Sequence, residues 1–272
     1  MRAGNLTISI PDKGCNKNCP YCVSKITGKM ESNVDLMIKN TKKVRTLANA
    51  AQVFCVLLTG KGEPTCNMIM TEFFIQKFED YSVEMQTNGI DLYKYLDKLA
   101  ALGLNIIALS VDDIEDLDFK LFERIRKLGM LLRVTFNVTN KLHLPGQSYF
   151  DLDFHNLIGL CKGHVDQMTI RNVVVPNNTE RCKESVWIED NVNPDIYSKL
   201  ERQMIETCRN NGSLIMQLPY GAYVYDYEGI AVSYSQYCIQ DYNKGDDIRS
   251  LIFQEDGHVY TSWNSGASKF GV

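Results

Sequence analysis

Three cysteines stand within eight residues near the start of the chain, in the segment GCNKNCPYC. Cys15, Cys19 and Cys22 have the spacing C-x3-C-x2-C and directly follow a short apolar run. Clustered thiolates ligate metals, and a structural zinc would take four ligands in a closed shell. The nearest histidine is far away in sequence, so a zinc site would need Cys55 or Cys66 to fold back. A [4Fe–4S] cluster held by three thiolates instead leaves one iron open for another ligand.

Composition argues against several classes of protein. The chain has 272 residues, 44% of them hydrophobic and 23% charged, as in a globular protein with a sizeable core. Its apolar runs are too short to span a bilayer, and the N-terminus lacks the apolar stretch of a signal peptide. A net charge of −4 disfavours long nucleic acids, because phosphate-binding surfaces need lysine and arginine. Nine cysteines without a signal peptide favour the reducing cytoplasm over a disulfide framework.

Strand-like and helix-like segments alternate along most of the chain, which predicts a parallel sheet with right-handed crossovers. Six β-α units are predicted, with strands at 5–10, 52–59, 81–87, 104–110, 131–139 and 165–175. Six units are fewer than the eight of a closed barrel. We therefore expect an α/β fold, a partial (β/α)6 TIM-like barrel whose ligands bind at the carboxyl ends of the strands. The segment 177–194 is the longest irregular stretch and a candidate lid.

The tail of the chain has a different character. From residue 219 onward the helical period disappears and tyrosines accumulate, as strand-forming residues of a small sheet would, although some could line a pocket. The segment 249–263 predicts a β-hairpin that turns at EDG. We therefore expect a core at 1–218 and, packed on it, a small β-rich C-terminal extension at 219–272.

The cysteine spacing, with Tyr21 directly before the last cysteine, resembles the signature of the radical S-adenosylmethionine (SAM) superfamily. The resemblance implies that the three cysteines ligate one [4Fe–4S] cluster, and that SAM chelates the open iron through its amine and carboxylate. It also implies that SAM is cleaved reductively to a 5′-deoxyadenosyl radical, which abstracts a hydrogen atom from a substrate. An electron donor such as flavodoxin or ferredoxin is the implied partner.

A second motif follows the second strand, where the family has Gly-Gly-Glu-Pro. Here Lys61 takes the place of the first glycine, while Gly62, Glu63 and Pro64 match, and Gly60 remains available for a tight turn. In the family this loop holds the methionyl amine of SAM. Backbone carbonyls and a carboxylate are the groups that an ammonium needs. The resemblance therefore assigns residues 60–64 to the SAM site.

Polar residues at the ends of the later strands resemble further parts of the SAM site of the family. The segments QTNG, LSVDD, TFNV and TIRN follow one another in the family's order. The resemblance implies contacts to SAM from Thr87, Asn88, Ser110, Asn137 and Arg171, with an anionic group of the substrate as the alternative for Arg171. Polar residues at strand ends can also cap helices or satisfy loop backbone.

The C-terminal segment resembles, faintly, the extension of SPASM-type radical SAM enzymes. Ser262 stands near the position where that extension has a cluster cysteine, and Cys238 lacks neighbouring cysteines. We therefore expect a degenerate extension without auxiliary clusters. Cys66 and Cys238 are candidate hydrogen donors to a product radical, whereas Cys55 on its apolar strand is interpreted as a core residue.

Three functions remain open at this point. The favoured one is a radical SAM enzyme that abstracts a hydrogen atom from a small molecule, nucleotide or peptide. The second is an activating enzyme that generates a glycyl radical on a partner protein. The third is a non-catalytic iron–sulfur or zinc protein.

Overall fold

The computed structural model describes residues 2–28, 30–177, 179–218, 222–236 and 247–271. The strands of this part of the chain are β1 Arg2–Ile10, β2 Cys55–Gly60, β3 Ser82–Thr87, β4 Ile106–Val111, β5 Leu131–Val138, β6 Gln167–Asn172, β7 Ser213–Gln217, β8 Tyr223–Tyr227, β9 Ile230–Ser235, β10 Asp247–Phe253 and β11 Val259–Tyr260. The α-helices are α1 Val23–Ile26, α2 Val34–Ala50, α3 Met68–Lys77, α4 Leu92–Ala101, α5 Phe119–Lys127, α6 Phe154–Cys161, α7 Lys183–Asn191 and α8 Pro194–Asn211.

The described strands form one sheet in the order β11-β10-β1-β2-β3-β4-β5-β6-β9-β8-β7. The run from β10 to β9 is parallel throughout, whereas β11, β8 and β7 are antiparallel to their neighbours. Because β7 and β11 are edge strands, the sheet is not closed. The expected α/β fold with an open, TIM-like barrel is confirmed. All six predicted parallel strands are present, and β9 and β10 extend the sheet on either side.

Each parallel strand has one face toward the helices and one toward the interior of the barrel. In β2, Val56 and Leu58 are fully buried on the outer face, while Cys55, Leu57 and Thr59 line an internal cavity. The interpretation of Cys55 as a core residue is therefore wrong. The apolar run of β2 concealed the alternation, because Cys55 and Leu57 are apolar residues on the cavity side.

The helices cover the outer face of the sheet and begin at clear N-caps. The Asn33 side chain accepts a hydrogen bond from the Leu36 N–H at the start of α2, and Asp118 caps α5 in the same way. Helix α5 then buries Leu121 and Ile125 against the sheet. Among the described residues, no helix combines the length and apolarity that a membrane span requires.

The candidate lid contains a helix. Residues 183–191 form α7, so the prediction of an irregular segment is wrong there. Ile188 of α7 packs with Tyr21, Ile26 and Val173 in a small hydrophobic cluster separate from the main core. Helix α7 therefore lies against the segment that carries the three cysteines.

The tail contributes strands to the same sheet as the core. Strand β10 pairs parallel with β1, with Leu251 opposite Leu6. Strands β10 and β11 form the predicted hairpin, whose turn contains Gly257 at a φ of 82°. Because β9 also pairs with β6, the tail completes both sides of the barrel.

Candidate active site

A cavity of about 800 Å³ opens at the carboxyl ends of the parallel strands and continues into the barrel. Such a volume is within the range of small-molecule sites, roughly 300–1,000 Å³. The cavity is lined by all three clustered cysteines and by every residue predicted for SAM: Cys15, Cys19, Tyr21, Cys22, Gly60, Gly62, Glu63, Pro64, Thr87, Asn88, Ser110, Asn137 and Arg171. Residues far apart in sequence are thus gathered around one space.

The cysteine loop connects β1 to α1 and presents its sulfurs to this cavity. Cys15 is exposed, and Cys19 and Cys22 are half-buried. The Lys17 N–H lies 3.5 Å from the Cys15 Sγ, and the Asn88 Nδ2 lies 3.8 Å from the same sulfur. N–H groups directed at sulfur are typical of iron–sulfur ligands, whose charge they stabilise.

Glu63 joins the loop after β2 to the loop after β3. The carboxylate is buried, and its Oε1 accepts hydrogen bonds from the hydroxyls of Thr65 and Thr87 at 2.9 and 2.6 Å. Its Oε2 accepts from the Asn88 N–H at 2.9 Å. Since the Asn88 side chain reaches Cys15, one chain of contacts runs from Glu63 to the cysteine loop.

The glycines of the 60–64 loop allow a close approach of three backbone segments. A Cβ on Gly60 would lie 2.8 Å from the Ile10 carbonyl oxygen, and one on Gly62 would lie 2.5 Å from that of Gly14. The Glu63 N–H donates to the Gly14 carbonyl at 3.1 Å. Glycine is therefore needed at 60 and 62, whereas position 61 accommodates a lysine.

The Lys61 side chain turns into the protein beneath the cysteine loop. It is buried, and its ammonium donates to the Thr27 hydroxyl. Burial lowers the pKa of Lys61, while the charges of Glu255 and Cys22 oppose that effect. A buried cation thus stands close to one of the candidate cluster ligands, at a place where the family has glycine.

Asp112, just after β4, is a site residue that the sequence analysis did not single out. Its Oδ1 accepts hydrogen bonds from the Tyr21 hydroxyl and, at 2.8 Å, from the Asn137 side chain. Its Oδ2 pairs with the Lys17 ammonium at 3.0 Å and lies 3.8 Å from the Cys19 Sγ. Asn137 and Tyr21 therefore meet on a carboxylate beneath the cysteine loop. The signal was present in LSVDD, where a carboxylate follows directly after a strand.

The surroundings of the cysteine loop set the protonation of its groups. Burial raises the pKa of the Cys19 thiol to about 12, and the Asp112 charge acts in the same direction. Burial disfavours the Lys17 ammonium, yet Asp112 and Asp116 hold its pKa above the usual value. Metal binding to Cys19 would release the thiol proton.

The chemistry of the donor set fits a [4Fe–4S] cluster. Among the described residues, no three Cys, His, Asp or Glu side chains are grouped as ligands of one ion. A [4Fe–4S] cluster takes one thiolate on each of three separate irons, so its ligands need not converge. Three cysteines on one loop, with N–H groups and the cations of Lys17 and Lys61 nearby, suit such an anionic cofactor.

Trp187 of α7 is a second residue that the sequence analysis missed. Its ring centroid lies 5.7 Å from that of Tyr21, which is next to Cys22. Aromatic pairs at this distance stabilise each other beyond simple burial. Helix α7 thus packs on the cysteine loop through the contact of Trp187 with Tyr21. The Tyr21 hydroxyl in turn donates to Asp112.

Of the two candidate hydrogen donors, Cys66 does not line this cavity. Cys66 lies at the start of the turn after Glu63, where its N–H donates to the Glu63 carbonyl at 2.9 Å, and it is not part of the cavity lining. Cys238 lies outside the described residues. Tyr234 of β9 does line the cavity.

Comparison with known proteins yields a family match and two partial relatives. The model of the "Radical SAM superfamily" matches residues 9–148. Proteins described as "Probable GTP 3',8-cyclase" from Pyrococcus abyssi and Pyrococcus horikoshii are 29% and 28% identical over 143 residues. Each match covers 52% of this chain but 45% and 44% of the relative, so the chain matches less than half of their length.

Solved structures with the same fold are found at low sequence identity. "Native anSMEcpe with bound AdoMet" gives a TM-score of 0.59 at 15% identity, covering 98% of this chain and 77% of that one. "Native anSMEcpe with bound AdoMet and Kp18Cys peptide" gives 0.58 at 15% identity, covering 99% and 77%. This similarity supports the fold alone.

Proposed function

The chain belongs to the radical SAM superfamily, and on that premise we propose that it abstracts a hydrogen atom from a small-molecule, nucleotide or peptide substrate bound in the barrel. When bound, a single [4Fe–4S] cluster would supply the electron that cleaves SAM to methionine and a 5′-deoxyadenosyl radical. The observation that carries the proposal is the common cavity, which both the cysteine loop and the Glu63 loop line.

Each part of the cavity wall has a role in this proposal. Cys15, Cys19 and Cys22 hold the cluster, while Lys17 and Asn88 direct N–H groups at Cys15. The sulfurs face the cavity, so SAM bound there would lie between the cysteine loop and the substrate. Enclosure by the barrel would keep water and oxygen from reactive species.

The SAM amine would lie against the Glu63 loop. Glu63 is tied to Thr87 and Asn88, so the carboxylate is held in place before the ligand arrives. Gly60, Gly62 and Pro64 complete this loop, and its carbonyls are further acceptors for an ammonium.

The remaining SAM contacts would come from the β4 and β5 side of the cavity. Ser110 lines the wall there, and Asn137 and Tyr21 are oriented by Asp112. We assign the ribose and carboxylate of SAM to this side.

The named relatives bear on the choice of substrate, and the cysteine content bears on the compartment. Because the curated relatives are named as probable GTP 3′,8-cyclases, a purine nucleotide is the first substrate to test. We propose flavodoxin or ferredoxin as the electron donor and the cytoplasm as the compartment, where thiols stay reduced.

The experiment is anaerobic reconstitution with iron and sulfide, reduction with dithionite and addition of SAM. We expect about four irons per chain, as one cluster requires, and formation of 5′-deoxyadenosine. Cys19→Ala should abolish both, whereas Cys208→Ala, which removes a buried thiol of α8 far from the loop in sequence, should retain both. Bound zinc without SAM cleavage would refute the proposal, and an iron content of about eight, as two such clusters require, would refute the single cluster.

A further inference from the structure

Polar side chains from several strands line the interior of this barrel, among apolar ones. Barrels of this class usually fill their interior with bulky branched side chains such as Val, Ile and Leu. Here the cavity wall below the strand ends includes Gln86, Thr135, Gln167, Thr169 and Ser233. These five side chains come from four different strands, β3, β5, β6 and β9. The polar groups are therefore spread over several strands and do not belong to one loop.

These polar groups are not satisfied by the protein. Within the described ranges, none of the five side chains hydrogen-bonds to another residue, and none has a polar atom sealed away from the cavity. Buried polar groups normally have partners. Hydroxyls and amides that face an open cavity without protein partners are available to a ligand that itself carries several hydrogen-bonding groups.

The interior also carries an excess of positive charge. Arg133 of β5 forms an ion pair with the buried carboxylate of Glu84 on β3. Arg171 of β6 lies on the same cavity wall and, among the described residues, has no hydrogen bond or ion pair. The charges of Arg133 and Arg171 thus both act on the Glu84 carboxylate, and Arg249 of β10 lines the same cavity.

Arg171 lines the cavity from β6, and its charge acts on a carboxyl of the interior. Burial raises the pKa of the Glu84 carboxyl, and the charges of Arg133 and Arg171 both oppose that rise. Arg171 is thus close enough to act on a carboxylate inside the barrel. Asn137, its neighbour across the β5–β6 pair, turns instead toward Asp112 and the cysteine loop. The guanidinium is therefore available to a ligand in the cavity, whereas the Asn137 side chain is already bound to Asp112.

We propose that the substrate carries an oxyanion, either a phosphate or a carboxylate, that binds Arg171 inside the barrel. Arginine suits both groups, because its planar guanidinium donates two parallel hydrogen bonds to a pair of oxygens. The remainder of the substrate hydrogen-bonds to the polar side chains of β3, β5, β6 and β9. This inference rests on the proposed function, and it selects the substrate role for Arg171 over the contact to the SAM carboxylate.

The test is calorimetric titration of the oxidised, reconstituted holoenzyme with inorganic phosphate and, separately, with malonate. Sodium chloride at equal ionic strength gives the background. We expect saturable binding of at least one anion, and the anion that binds identifies phosphate or carboxylate as the recognised group. Arg171→Gln should weaken that binding at least tenfold. Arg202→Gln removes the same charge from an exposed position of α8 and should bind as the wild type does.

Three results would overturn the inference. The first is that neither anion binds the wild type above the chloride background. The second is that Arg171→Gln binds like the wild type; should that variant not fold, Arg171→Lys, which keeps the charge but loses the paired donors, takes its place. The third is that saturating SAM displaces the anion, because Arg171 would then serve the SAM carboxylate. Formation of 5′-deoxyadenosine by the same wild-type preparation is scored separately, so failure of the proposed function is distinguished from failure of the anion site.

Discussion

At the scale of single residues, two carboxylates organise the candidate site. Glu63 gathers donors from the loops after β2 and β3, and Asp112 gathers Tyr21, Asn137 and Lys17. Glu63 contacts Asn88, whose side chain lies close to Cys15, and Asp112 lies close to Cys19. The positions of the cysteine sulfurs therefore depend on carboxylates that lie far away in sequence.

Glu63→Gln tests the first of these carboxylates. The substitution replaces one carboxylate oxygen by an NH2 group, which cannot accept a hydrogen bond. The donors of Thr65 and Thr87, or that of Asn88, would then lose their acceptor. Hydrogen bonds to charged groups are worth about 1.5–3 kcal/mol each, and we expect the Kd for SAM to rise at least tenfold. Equilibrium binding of SAM measures the effect, with exposed Glu79→Gln as the matched control. Equal affinity in both variants would remove Glu63 from the SAM site.

Lys61→Met tests the lysine that replaces a family glycine. A buried ammonium favours the more negative, reduced form of a nearby cluster. We therefore expect the midpoint potential of the reconstituted Lys61→Met protein to be more negative than that of the wild type. Lys13→Met changes an exposed lysine of the loop after β1 and should leave the potential near the wild-type value. A redox titration followed by electron paramagnetic resonance measures both, and an unshifted potential in Lys61→Met would contradict the argument.

The candidate site residues were predictable because they occur in recognisable motifs, but their connections were not. Sequence spacing placed Cys15, Glu63 and Asn137 at strand ends, and all of them line one cavity. Asp112 and Trp187 were missed because their roles depend on contacts with residues far away in sequence. No local pattern marks which of several carboxylates near a strand end will turn inward.

At the scale of elements, the periodicity of hydrophobic residues predicted the six parallel strands and the helices between them. It failed for α7, where nine residues bury little apolar surface and pack on a small separate cluster. The periodicity also did not indicate that one face of β2 lines the cavity. A strand with apolar residues on both faces has the same pattern whether its second face meets a core or a cavity.

Gly257→Ala tests the turn of the β10–β11 hairpin. The residue has a φ of 82°, and a Cβ would lie 2.7 Å from the Leu36 Cγ of α2. Left-handed backbone costs about 1–2 kcal/mol for a residue with a Cβ, and overpacking adds about 1–3 kcal/mol. We expect Gly257→Ala to lower the free energy of unfolding by about 2–5 kcal/mol, the sum of these two costs.

Gly229→Ala is the matched control for this turn. Gly229 has a φ of 78°, but a Cβ there would meet nothing within 4 Å. The control should therefore show only the backbone cost of about 1–2 kcal/mol. Chemical denaturation of both variants measures the difference. Equal losses would mean that the contact between the hairpin and α2 does not constrain the turn.

At the scale of the whole molecule, one sheet unites the core and the tail. We propose that residues 219–272 are an extension packed on the 1–218 core and unable to unfold apart from it. Strand β10 lies between β1 and β11, and its Phe253 is fully buried. The Phe253 ring contacts that of Phe74 on α3 edge to face, with centroids 6.1 Å apart. Tail and core thus share side-chain packing as well as strand pairing.

Phe253→Ala tests whether the tail and the core unfold together. Truncating a buried phenylalanine costs about 3–5 kcal/mol, and we expect the Tm of the entire protein to fall in a single transition. Phe54→Ala, at a side chain that is 83% exposed, should change the stability by less than about 0.5 kcal/mol. Calorimetry and circular dichroism together measure the transition. A separate early transition for the tail, with the core Tm unchanged, would contradict the proposal.

The pairing of β1 with β10 has a consequence for synthesis on the ribosome. Strand β1 and the cysteine loop are made before β10, and one edge of β1 stays unpaired until residues 247–253 have emerged. An unpaired strand edge can recruit other chains, and nascent chains with such edges are prone to aggregate. The Asp12 N–H, at the start of the cysteine loop, donates to the carboxylate of Glu255, so this hydrogen bond also cannot form until Glu255 has been synthesised. The cysteine loop is thus completed by residues that are synthesised long after it, so it cannot fold fully until they have emerged.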